Sequence, residues 1–91
     1  MRTVCKFKFP DGTDRETIES QIAMAITAAE CTYGHPKVRI SASYLISADK
    51  PEIAIDVSTE VGEHIAQTFT GLMIRQLGED NFNVERTYGD K

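Results

Sequence analysis

Three groups of residues have the types and spacing to do chemistry, and each lacks a partner it would need. Cys31 and His35 stand four positions apart in Cys31-Thr32-Tyr33-Gly34-His35, a spacing that can bring a thiolate and an imidazole to one metal ion. Gly34 between them breaks a helix, and two ligands do not close a tetrahedral zinc site. The pair therefore reads as a surface cysteine and a loop histidine, and no metal or other cofactor is expected. His64 follows Glu63, with Glu60 one turn earlier, so a base oriented by a carboxylate can be drawn. No nucleophile or pocket accompanies it, and a solvated helix face accounts for the same residues. Ser41, Ser43 and Ser58 have no histidine on their side of a sheet, which leaves a Ser-His-Asp arrangement without its base. No catalytic residue is assigned, and enzymatic activity is not expected.

Size and charge narrow the remaining classes. Ninety-one residues suit one domain spanning 1–91, because two halves would each be too small to bury a core unaided. An apolar content of 41% with 26% charged residues is that of a globular chain, so disorder is not expected. The net charge of −4 lacks the basic stripe that phosphate binding requires, which argues against nucleic acid as a partner. No run approaches the roughly eighteen apolar residues that span a bilayer, and the opening MRTVCKFKF resembles no cleaved leader. Cys5 and Cys31 read as free thiols, so the expected setting is the reducing cytoplasm, with no membrane partner.

The elements that must position any site follow from hydrophobic periodicity. Thr3, Cys5, Phe7 and Phe9 alternate with Arg2, Val4, Lys6 and Lys8, predicting a first strand with an apolar inner face and a largely basic outer one. Pro10-Asp11-Gly12 turns the chain, and Thr13 with Glu16 predicts a capping box. The helix over about 14–33 carries Ile18, Ile22, Ala25, Ile26 and Ala29 in one sector, ends at Gly34, and is stopped by Pro36.

A hairpin over Lys37–Ser58 is the centre of the reading. Val38, Ile40, Ala42, Tyr44 and Ile46 share one face of its first arm, and Ile53, Ile55 and Val57 share that face of its second. Ser47-Ala48-Asp49-Lys50 is the expected loop, which would set Tyr44 opposite Ile53.

Ser58 and Thr59 cap a second helix whose face is Val61, Ile65, Ala66, Phe69, Leu72, Met73 and Leu77. Gly62 leaves room for close approach to the sheet, and Gly78 ends the helix. A last strand over about Asn81–Tyr88 points Phe82 and Val84 inward, and 89–91 form a frayed tail.

The order β-α-β-β-α-β, with a right-handed crossover in each βαβ unit, predicts an α+β fold. It is the ferredoxin-like split βαβ sandwich, an antiparallel four-stranded sheet in the order 4-1-3-2 with both helices on one face.

The loop Phe9-Pro10-Asp11-Gly12-Thr13 separates this chain from several branches of that fold. It lacks the Cys-x-x-Cys of metallochaperones, and Asp11 puts a carboxylate where acylphosphatase-like proteins hold an anion near an arginine such as Arg15. Its Asp, Pro and Gly are similar to those of effector-sensing ACT-like domains, in a different residue order. That resemblance implies a small-molecule effector bound where the loop meets a neighbouring subunit.

The uncovered sheet face remains. Glu85, Lys6 and Lys8, Glu52 and Asp56, and Lys37 and Arg39 alternate in sign from strand to strand, as they would on a solvated face. No aromatic stands among the central outward positions, so bases have nothing to stack on. Ser41, Ser43, Leu45, Ala54 and Val4 set small or apolar groups among those charges. Val4, Lys6, Arg39, Ser41, Ser43, Leu45, Ala54 and Asp56 therefore form the candidate interaction face.

The expected function is a non-enzymatic binding or regulatory module that self-associates as a homo-oligomer or binds another protein. The alternatives are an ACT-like sensor and a small acidic inhibitor of mobile-element origin using Glu60, Glu63, Glu79, Asp80 and Glu85. Met24, Ala28, Cys31 and Ile74 lie outside the core stripes and make a second contact patch if they meet in space.

Overall fold

A computed structural model describes the backbone of residues 2–89 and the side chains of residues 3–88. The outward side chain expected of Arg2 and the tail at 90–91 lie outside them. Alternation in the first segment produces β1 (Arg2–Lys8), with Cys5, Phe7 and Phe9 buried and Val4, Lys6 and Lys8 half-exposed on the other side. The next strands are β2 (Tyr44–Ile46), β3 (Glu52–Asp56) and β4 (Asn83–Gly89). They form one antiparallel sheet in the order β2-β3-β1-β4, the predicted 4-1-3-2 order read from the other edge. With α1 (Arg15–Tyr33) and α3 (Glu60–Leu77) packed on a single face, the chain is a ferredoxin-like α+β sandwich.

The core lies between that face and the helices. Ile18, Ile22, Ala25 and Ala29 of α1 and Val61, Ile65, Ala66, Phe69 and Met73 of α3 meet Cys5, Phe7, Phe9, Ile53, Ile55 and Val57 of the sheet side. Phe69 is the hub: its ring stands edge-on to Phe7 at 4.9 Å and to Phe9 at 6.3 Å. Phe82, half-buried beyond the end of α3, closes the cluster against Phe9 at 5.5 Å.

Local chemistry sets the helix ends, with one substitution of roles. Thr59 caps α3 as predicted, its Oγ1 accepting from the Gly62 amide at 3.0 Å. At α1 the cap is Asp14, which accepts from the Glu16 amide at 3.1 Å. Thr13 instead donates to the Pro10 carbonyl at 2.7 Å, closing the turn, so the predicted Thr13–Glu16 box does not form. Gly62 has a steric role. A Cβ there would collide with the Asp56 carbonyl oxygen, so only glycine lets α3 leave β3 this closely.

The first arm of the predicted hairpin is where the fold departs from expectation. Residues His35–Ser41 form a short helix, α2, and only Tyr44–Ile46 remain as strand. The reason lies in ladder length. β2 is an edge strand whose one neighbour is β3, and β3 ends at Asp56 because α3 begins at Glu60. Residues before Ser43 would have no strand opposite them, so their amides and carbonyls must bond locally. Pro36 helps, since its fixed φ suits a first helical turn; it starts α2 as well as ending α1.

Val38 still enters the core, from a helix, whereas Ile40 is 85% exposed and Tyr44 45%. The hairpin register also differs. Tyr44 pairs with Ile55 and Ile46 with Ile53, two residues from the predicted pairing, which keeps each side chain on its predicted face.

At the C-terminal end, Glu79–Asn81 form a 3-10 turn, and β4 starts two residues later than predicted. Gly89 belongs to β4, so the expected tail does not begin there. Val84 lies opposite Phe7 but is 45% exposed, because β4 is the second edge of the sheet.

Candidate interaction face

The sheet surface away from the helices can be read in rows across β2, β3, β1 and β4. Leu45, Ala54, Lys6 and Glu85 form the middle row. Ser43, Asp56, Val4 and Thr87 lie on one side of it, the Ser43 carbonyl accepting from the Asp56 amide at 2.9 Å. Ser47, Glu52, Lys8 and Asn83 lie on the other, with the Ser47 amide donating to the Glu52 carbonyl at 2.9 Å. Six of the eight predicted face residues come together here: Val4, Lys6, Ser43, Leu45, Ala54 and Asp56.

Arg39 and Ser41 do not join them. Both sit on α2, off the sheet, because the strand predicted to carry them has no partner at that level. Lys37, on the same helix, is also absent from the face; its ammonium stands 5.1 Å from the Tyr33 ring centre.

Leu45 is 73% exposed and stands beside Ala54 in two shallow depressions. The larger, about 450 Å³, is lined by Lys6, Leu45, Ile46, Ser47, Ala48, Glu52, Ile53 and Ala54. A second, about 230 Å³, adds Val4, Ser43, Tyr44 and Asp56. A leucine this exposed on a sheet gains nothing for the fold from its side chain.

Charges around it are only partly matched within the chain. Lys8 Nζ reaches Glu85 Oε2 at 3.3 Å, and Asp56 Oδ1 accepts from the Ser58 amide at 2.8 Å. Lys6 and Glu52 make no ion pair among the described residues. The central outward positions on β1 and β3 carry no aromatic ring for a base to stack on.

The other predicted sites are dispersed. Cys31 is exposed, His35 Nδ1 lies 2.7 Å from Glu30 Oε2, and no cluster of three potential metal ligands occurs among the described residues. Arg15 is occupied away from the Pro10–Thr13 turn. Its Nε donates to Glu19 at 3.0 Å and its Nη1 to the Ser47 carbonyl at 3.4 Å. That arrangement borders a cleft of about 260 Å³ between the turn and the 47–51 loop, containing Gly12, Thr13, Asp49 and Lys50.

Ser58 is spent on the backbone of Thr3, accepting from its amide at 2.8 Å. Met24 and Ala28 share a depression of about 370 Å³ on α1 with Ala23 and Thr27, which Cys31 and Ile74 do not line.

His64 departs from its predicted exposed position. It is half-buried, its ring edge-on to Tyr33 at 5.5 Å, and its Nδ1 is fully covered without a hydrogen-bond partner among the described residues. Burial and the neighbouring Glu60 carboxylate push the Tyr33 hydroxyl above the ordinary tyrosine range. Tyr33 at the end of α1 therefore packs against an imidazole at the start of α3 where a solvated face was expected.

A further group escaped the sequence reading. Arg86 of β4 lies opposite Cys5 and bonds Glu63 of α3 at 2.9 Å. Burial raises the Cys5 thiol above its usual value, and the Arg86 charge opposes that shift. Strand parity held the signal, because Arg86 shares the inward register of Val84 and Glu63 lies in the first turn of α3. Two of the five acidic residues proposed for an inhibitor, Glu63 and Glu85, are thus paired inside the chain.

No helix among the described residues is long and apolar enough to cross a membrane. No protein-family model and no curated protein matches this sequence.

Proposed function

We propose that this chain is a non-enzymatic binding module that meets a protein surface with its outer sheet face. The observation that carries the reading is Leu45, 73% exposed on the edge strand β2, which shares a shallow depression with Ala54 and Val4 on a sheet face that otherwise carries charges. Apolar side chains set among charged ones are a common composition of protein interfaces. The reading also sets the module in the cytoplasm, which suits Cys5 and Cys31 as free thiols.

The test is capture on immobilised protein, comparing the wild-type chain with Ala54→Arg, using extract of the native host and the purified chain itself as the two sources of ligand. A chain retained by the wild type and lost on Ala54→Arg supports the reading. Equal retention on both surfaces, or none on either, contradicts it.

A second reading has one observation in its favour. A cleft within the chain, between the Pro10–Thr13 turn and the 47–51 loop, adjoins the turn at which an ACT-like effector would meet a neighbouring subunit, and Arg15 and Lys50 line it. At about 260 Å³ it falls just below the usual range of ligand pockets. A thermal-shift screen with amino acids and nucleotides tests this reading: stabilisation lost on Arg15→Ala supports a sensor, and no stabilisation by any compound counts against it.

A further inference from the structure

The outer face is divided by charge along its strands. β3 presents Glu52, Ala54 and Asp56, and β1 beside it presents Val4, Lys6 and Lys8. One central column is acidic and its neighbour is basic. A two-fold axis parallel to the strands, running between β1 and β3, would lay the β3 column of one copy over the β1 column of another. Glu52 would then face the second copy's Lys8, and Ala54 its Lys6, twice over by symmetry. A two-fold axis across the strands, through the middle row, would set Glu52 against Asp56 and Lys6 against Lys6, and like charges exclude it.

We infer that the partner of the outer face is a second copy of this chain, packed sheet to sheet about a two-fold axis parallel to β1 and β3. This inference rests on the outer-face reading above. Charge complementarity selects the occupant: the acidic β3 column would meet the basic β1 column, and Glu52, which makes no ion pair among the described residues, would face Lys8 of the second copy. Sheets stacked this way lie roughly 10 Å apart, a gap that lysine and glutamate side chains bridge and that Ala54 and Val4 help to fill, with Leu45 lying over β4 of the other copy.

Charge reversal on each column tests it without knowledge of any other partner. Lys8→Glu alone and Glu52→Lys alone each create two like-charge contacts in a symmetric dimer. Each variant is expected to self-associate about tenfold or more weakly than the wild type. Mixed one to one, the two variants are expected to form a heterodimer at near wild-type affinity, because both contacts become Glu–Lys again. Neighbouring charges within one chain are unchanged by mixing, so recovery reports only contacts between chains. Sedimentation equilibrium at low and high salt reads the masses, with the dimer weakening as salt rises.

Wild-type protein that stays monomeric to about 1 mM overturns the inference, since no useful dimer is weaker than that. Variants that self-associate as well as the wild type, or fail to recover on mixing, also overturn it. In each case the outer-face reading is judged separately, by whether Ala54→Arg abolishes capture of a different chain from host extract.

Discussion

The two faces of one sheet are made by alternate residues of the same strands and do different work. Along β3, Ile53 and Ile55 are wholly buried against α1 and α3, while Glu52, Ala54 and Asp56 remain half-exposed. On the helix side, rings meet edge to face around Phe69 and little tolerance for change is left. The far side leaves a leucine in solvent, and Lys6 and Glu52 without ion pairs among the described residues. Burial on the first face accounts for folding, and the composition of the second is free to serve recognition.

The largest expected effect comes from emptying the sealed side. Phe69→Ala removes the ring shared by Phe7 and Phe9 and is expected to cost about 3–5 kcal/mol, measured by chemical denaturation. A loss below about 1 kcal/mol would mean that the core does not depend on this hub.

His64 gives a smaller change of opposite sign. A covered Nδ1 without a partner among the described residues forfeits hydration, so His64→Leu is expected to stabilise the chain by about 1 kcal/mol in the same measurement. Destabilisation would show that the imidazole is satisfied in solution.

Cys5 offers a test by pH. Burial holds its thiol above the ordinary value of about 8.5, so the folded chain keeps a proton that the unfolded chain has released. This contribution is fully present below that pH and is lost as pH rises above it. Cys5→Ala is expected to flatten the alkaline decline in stability, followed by denaturation between about pH 8 and 10. An unchanged slope would remove Cys5 as its source; Tyr33, shifted in the same direction, would be the next group to replace.

The smallest expected effect on folding belongs to the open side. Leu45→Lys is expected to alter monomer stability by no more than about 0.5 kcal/mol, and a larger loss would mean that Leu45 serves the fold after all.

The sealed side was legible in sequence because its signals repeat. Period-two alternation in 3–9 and 53–57, the helical stripes after Asp14 and Thr59, and stops at Gly34 and Gly78 all point to one topology. Residues 37–43 misled for a physical reason: seven residues of alternation fit a strand, but a strand also needs a neighbour, and the neighbour's length is set elsewhere by where α3 begins. The outward positions on β1 and β3 followed once parity was known, whereas Arg39 and Ser41 were lost with the false strand. Strand parity turns Arg86 inward, but its pairing with Glu63, like the packing of His64 against Tyr33, depends on how elements distant in sequence meet.

Ala54 and Ile55 are neighbours in sequence on opposite faces, which makes Ala54 the sharpest probe of the central claim. The decisive measurement is the light-scattering mass of Ala54→Arg beside the wild type at matched high concentration. The account predicts a wild type of twice the protomer mass and a variant that is monomeric yet folded. A monomeric wild type, or a variant that remains dimeric, would contradict it.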